Sequence, residues 1–158
     1  MQVRPVTREN NTMTVKALLG QINTTNEVRT IGPKVKAETA AALLHEKGIG
    51  ALPVVDDKGK LIGIFSERDI VALVARRGAA GLTAAGEAPM TRAVLTRTIN
   101  DSVKDLERMM NSKKIRHIPI LDGDKLRAIV SIRDVVKYRL QSVELEKNVL
   151  RDVALARQ

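Results

Sequence analysis

Ile64-Phe65-Ser66-Glu67-Arg68-Asp69-Ile70-Val71 returns later in the chain as Ile129-Val130-Ser131-Ile132-Arg133-Asp134-Val135-Val136. Just upstream, Leu52-Pro53-Val54-Val55-Asp56 returns as Ile118-Pro119-Ile120-Leu121-Asp122. The offset is 66 residues for the upstream pair and 65 for the downstream pair. The one-residue slip falls where Asp57-Lys58-Gly59-Lys60 stands against Gly123-Asp124-Lys125. Turns tolerate such length changes. A repeat of this kind decides the architecture before any local propensity does.

The repeat extends outward. Ala37, Ala40, Leu43 and Leu44 match Val103, Leu106, Met109 and Met110, one face of an amphipathic helix in each copy. Val28 and Thr30 match Val94 and Thr96. Each unit therefore predicts an extended lead-in (28–31, 94–98), a helix (35–47, 101–112) and a strand (51–55, 117–121). A turn and a second strand (61–65, 126–130) follow. A second helix closes the unit, over 67–77 in the first and from 132 onward in the second. The strands are apolar nearly throughout, as expected when both faces are covered. The organisation is a polar segment 1–12 expected to be disordered and a first unit 13–77 with a leading helix at Val15–Leu19. A Gly- and Ala-rich linker 78–90 follows, with room for a helical turn at 82–87. A second unit 91–140 and a helical extension 141–158 complete the chain.

Composition narrows the function. The 158 residues include 44% hydrophobic side chains, enough for a packed core. There is no cysteine, hence no disulfide, thiolate metal site or cysteine nucleophile. No run approaches the roughly 18 apolar residues of a membrane span, and residues 1–14 lack a signal-peptide core. These features predict a cytoplasmic protein without membrane contact. The net charge of +9 reads first as a soluble surface rich in Lys and Arg, and it also suits anionic partners. Nucleic acid is the alternative reading, weakened because Phe65 and Tyr138 are the only aromatics and the charge is dispersed.

The repeated Ser66-x-x-Asp69 and Ser131-x-x-Asp134 stand where a strand becomes a helix. That spacing predicts a capping box. It also suits a ligand, because a helix N-terminus attracts anions and a carboxylate there can accept both ribose hydroxyls. Arg68 and Arg133 add planar cations suited to phosphate. The two readings are compatible. Lys113, Lys114, Arg116 and His117 replace Lys47, Gly48, Gly50 and Ala51, which predicts unequal sites. Ala128 replaces Gly63 and is expected to narrow the second pocket. Neither His45 nor His117 has metal-ligand spacing. No phosphate-binding loop, dinucleotide fingerprint or nucleophile–base pair is present. Lys47-Gly48-Ile49-Gly50 reads as a helix end. No catalytic residue, catalytic cofactor or metal is expected, and the chain reads as no enzyme.

Taken in order and in register, these motifs between Val15 and Leu140 resemble the CBS domain. The tandem resembles a CBS pair, or Bateman module. The resemblance implies an α/β (α+β) fold of two pseudo-symmetric βαββα repeats. It implies an adenosyl ligand such as AMP, ADP, ATP or NADH held between them, and regulation of a separate protein. It makes Asp69 and Asp134 the ribose acids, with Ser66 and Ser131 beside ribose or phosphate. Thr30, Ile31 and Pro33, with Thr96, Thr98 and Ile99, would touch the base. The backbone at Ala51, Leu52 and Pro53, and at His117, Ile118 and Pro119, would complete the pockets, with Arg116 adding charge.

From Ile132 to Ala156 there is neither Gly nor Pro. Val136, Leu140, Val143, Lys147 and Leu150 follow a near-heptad rhythm, widened by Leu145 and Val149. A homodimer contact through this helix is expected, with the helix at Val15–Leu19 a candidate to share it; the alternative is a helix laid over its own domain.

Overall fold

The computed structural model describes residues 13–22, 28–83 and 88–156. The order of elements is α1 (Val15–Gln21), α2 (Ala37–Lys47), β1 (Ala51–Val55), β2 (Leu61–Ser66), α3 (Glu67–Arg77), α4 (Ala80–Thr83), β3 (Arg97–Thr98), α5 (Val103–Lys113), β4 (His117–Asp122), β5 (Lys125–Ser131) and α6 (Ile132–Leu155). The fold is the expected mixed α/β arrangement.

Each unit centres on an antiparallel hairpin. β1 pairs with β2 from Ala51↔Ser66 to Val55↔Leu61, and β4 pairs with β5 from His117↔Ser131 to Asp122↔Lys125. Both registers shift at the same place, Val54/Val55 and Ile120/Leu121, so the duplicated sequence carries a duplicated irregularity. The extended lead-ins are shorter than expected. β3 lies parallel to β4 for two residues only. In the first unit Ile31 alone bridges Val54, donating to the Pro53 carbonyl at 3.0 Å and accepting from the Val55 amide at 2.9 Å. Pro33 has no N–H with which to extend that ladder.

The helices follow their apolar faces. Ala37, Ala40 and Leu44 of α2 are buried against Leu52, Val54 and Phe65. Val103, Leu106 and Met110 of α5 are buried against Ile118, Ile120 and Val130. α5 begins at Val103, two residues later than the periodicity predicts. Ser102 caps it, accepting from the Asp105 amide at 3.1 Å, while Asp101 closes the preceding turn by accepting from the Thr98 amide at 2.7 Å. The linker helix falls at 80–83 instead of 82–87, and 84–87 lie outside the described residues, as do 1–12.

The leading segments cross over. Val15, Leu18 and Leu19 of α1 lie in the core of the second unit, not the first. The Val15 and Lys16 amides donate to the carbonyls of Asp101 and Ile99. Conversely Leu82, Ala88 and Met90, which precede the second unit, pack in the core of the first, where Thr91 bridges Ile64. The apolar side of α1 is thus buried within the chain, and Lys16, Ala17, Gly20 and Gln21 form its exposed side.

Candidate functional site

Strand alternation decides what each repeat turns toward the seam between units. On β5, Ala128 and Val130 are buried in the core while Ile129 and Ser131 line a cleft. Ala128 therefore does not narrow the pocket as expected, because it is on the opposite face. Its counterpart Gly63 is likewise buried, against Met90.

Ser66 and Ser131 end their strands and cap α3 and α6. The Ser66 amide and hydroxyl both donate to Asp69 Oδ2, at 2.7 and 2.8 Å. The Ser131 amide and hydroxyl donate to Asp134 Oδ2, at 2.8 and 2.6 Å, and Ser131 Oγ accepts from the Asp134 amide at 3.2 Å. Both capping boxes are present. Each carboxylate spends one oxygen on its cap. Among the described residues, Oδ1 of each accepts no hydrogen bond and remains open to a donor.

Two clefts flank the seam, and each is built from both units. In the first, of about 380 Å³, Ser131, Arg133 and Asp134 face Gly48, Gly50 and Ala51 across the seam. In the second, of about 170 Å³, Ser66, Arg68 and Asp69 face Ile115, Arg116 and His117, with Ile64 and Thr91 beside them. Gly50, Glu67, Arg116 and His117 line both. The acid of one unit thus meets the helix–strand junction of the other.

The junctions differ. Gly48 ends α2 at φ 62° and Lys114 ends α5 at φ 53°, the same left-handed conformation with and without a side chain. Arg68 Nη1 donates to the Lys114 carbonyl at 2.6 Å, so this guanidinium ties the two units together. Arg133 makes no hydrogen bond or ion pair among the described residues. The His117 ring packs on Gly50: a Cβ placed there would lie 2.8 Å from His117 Cε1. Burial pushes the His117 pKa below 6.5, against the raising influence of Glu67 and Asp134, while Arg116 and Arg68 act with burial.

Other expected residues lie elsewhere. Leu52, Ile118 and Ile31 are buried core residues, Pro53 and Pro119 are buried on the strands, and Ile99 packs on the second core. Thr30 is exposed, and Thr98 hydrogen-bonds Asp101. None of these, nor Pro33 or Thr96, lines either cleft. Sequence reasoning missed Ile64, Glu67, Thr91, Ile115, Ile129 and Ile132 as lining residues. Gly48 to Gly50 both end a helix and line a cleft, the second use having no local signal. No group of three or more His, Asp or Glu that would hold a metal ion occurs among the described residues.

Residues 19–76 and 85–141 each match the CBS domain. The chain belongs to the CBS-domain family. It is a CBS pair, and its fold is similar to that of the CBS-domain containing protein ATU1752 from Agrobacterium tumefaciens. That likeness has a TM-score of 0.72 and 40% identity, covering 80% of this chain and 98% of that one. CBSX2, solved in complex with AMP, is similar with a TM-score of 0.66 and 27% identity over 82% of this chain and 97% of its own. Among curated relatives, the CBS domain-containing protein YhcV of Bacillus subtilis is 32% identical over 118 residues, 75% of this chain and 83% of that protein. A 33.4 kDa uncharacterized protein of Thermofilum pendens is 38% identical over 96 residues; the match spans 61% of this chain and only 31% of that protein.

Proposed function

We propose that this CBS pair is an adenine-nucleotide-binding regulatory module that acts on a separate protein and catalyses no reaction itself. The observation that carries the reading is the pair of capped acids, Asp69 and Asp134. Each lines a cleft closed by the opposite unit and has one carboxylate oxygen free. A free carboxylate oxygen beside a helix N-terminus suits a ribose hydroxyl next to a phosphate. The AMP complex of CBSX2, which shares the fold, supports an adenosyl ligand here. Because each cleft spans both units, bound nucleotide favours one relative placement of them. Its differential affinity sets the size of the shift passed to a partner. The exposed apolar residues of α6 support a homodimer as the form that presents this state. Among the described residues no helix is long and apolar enough to cross a membrane, and we place the module in the cytoplasm.

A thermal-shift panel of AMP, ADP, ATP, NADH and S-adenosylmethionine tests the reading. A ligand at about 100 times its dissociation constant stabilises the fold by about 2.7 kcal/mol. Asp69→Asn and Asp134→Asn keep an oxygen for the serine cap and remove the carboxylate charge. A shift from one of the five that shrinks in one of these variants is the expected result. No shift from any of them reduces the acids to helix caps and turns attention to the basic surface, with salt-dependent nucleic-acid binding as the next measurement.

A further inference from the structure

The two clefts are related by the internal repeat and yet unequal. Opposite Asp134 the junction carries Gly48, Gly50 and Ala51; opposite Asp69 the cleft is lined at the positions matching Gly50 and Ala51 by Arg116 and His117. The clefts differ in space, about 380 Å³ against about 170 Å³, although Arg116 and His117 border both. Small-molecule pockets usually run from about 300 Å³ upward, so the first cleft has the size of a ligand site and the second falls short of it. Two contacts hold the small cleft small. The His117 ring lies against Gly50, 2.8 Å from where a Cβ would stand, so any other residue there requires the ring to shift. Arg68 donates to the Lys114 carbonyl at 2.6 Å, across the same cleft. The matching arginine of the other cleft, Arg133, has no such anchor among the described residues and is free to meet a phosphate.

We propose that the chain binds a single nucleotide, with its ribose on Asp134 and its phosphate toward Arg133, and that the His117 ring and the tie of Arg68 to the Lys114 carbonyl exclude a second nucleotide from the Asp69 cleft. The proposal rests on the nucleotide-binding reading above and adds which cleft fills and what closes the other. His117 and Arg68 act here as selectivity residues: the ring packs on Gly50 beside the small cleft, and the guanidinium that would meet a phosphate there is held by the Lys114 carbonyl.

Isothermal titration of the full chain with AMP, and in parallel with ATP, tests this. The expected stoichiometry is one nucleotide per chain. Asp134→Asn weakens binding by about tenfold or more, the loss of one charge-assisted contact, and Asp69→Asn changes it by less than about twofold. The variant His117→Ala, which puts the residue of the first junction at this position and keeps Arg116, raises the stoichiometry to two. Two nucleotides on the wild type, or an affinity that depends on Asp69 as much as on Asp134, overturns the proposal and leaves the nucleotide-binding reading standing. An absence of heat from both nucleotides, in the wild type and in the opened variant, overturns that reading and the proposal with it. If the His117→Ala variant does not fold by circular dichroism, the two single acid variants still decide which cleft is used.

Discussion

Gly50 and His117 face each other across the seam, one from each unit, and their fit is steric. Gly50→Ala places a methyl group 2.8 Å from His117 Cε1. The ring must turn away, and overpacking of this kind costs about 1–3 kcal/mol. In a His117→Ala background the same substitution costs little, so a double-mutant cycle in urea reports a clear coupling energy. Additive effects would show that the ring moves freely. His117 also makes stability depend on pH. Its folded pKa is held below 6.5, chiefly by burial, so the unfolded chain takes up the proton first. The stability from neutral His117 is complete above pH 6.5 and declines as the pH falls from there toward the lowered folded value. Urea midpoints measured on both sides of pH 6.5 should show this decline in the wild type and a smaller one in His117→Ala. The sequence shows His117 without metal-ligand spacing and Gly50 as part of a helix end. That they touch is not legible there, because the contact joins segments 66 positions apart in the duplicated pattern.

At the scale of elements, local signals account for nearly everything. β1 and α3 have the bounds that apolar runs and capping residues predict, and the two Ser-x-x-Asp boxes form as their spacing requires. The departures have local causes as well: Ser102 delays α5, and Pro33 leaves the first lead-in as a single bridge. The C-termini of α2 and α5 provide a matched comparison. Gly48 adopts φ 62° without strain, whereas Lys114 at φ 53° is the only non-glycine residue with positive φ among the described residues. A side chain in that conformation costs on the order of 1 kcal/mol. Lys114→Gly should therefore raise the urea midpoint by an amount corresponding to about 1 kcal/mol. The Arg68 bond to the Lys114 carbonyl is a main-chain contact and survives the change. An unchanged or lower midpoint would mean that the Lys114 side chain contributes more than the strain costs.

For the whole molecule the open question is what covers α6. Val135 and Tyr138 are buried against the second unit, but Val136, Leu140, Val143 and Leu150 are 51%, 60%, 61% and 71% exposed. Four large aliphatic side chains on one stripe of a single helix are uncommon on an isolated monomer. Light scattering coupled to size exclusion should give the mass of a dimer, and Leu140→Glu/Leu150→Glu should shift it to the monomer. A monomeric wild type would remove the homodimer from the proposed function.

The repeat, the strand and helix order, the capped acids and the inequality of the two junctions all follow from the amino-acid order. Each rests on hydrogen bonds and periodicities that close within a few residues. Tertiary structure alone decided that each acid faces the other unit's junction, that α1 completes the second core and residues 88–90 the first, and that Arg68 is tied to Lys114. Those outcomes depend on which distant apolar surfaces cover one another. Burial is non-directional, so no local pattern specifies the pairing.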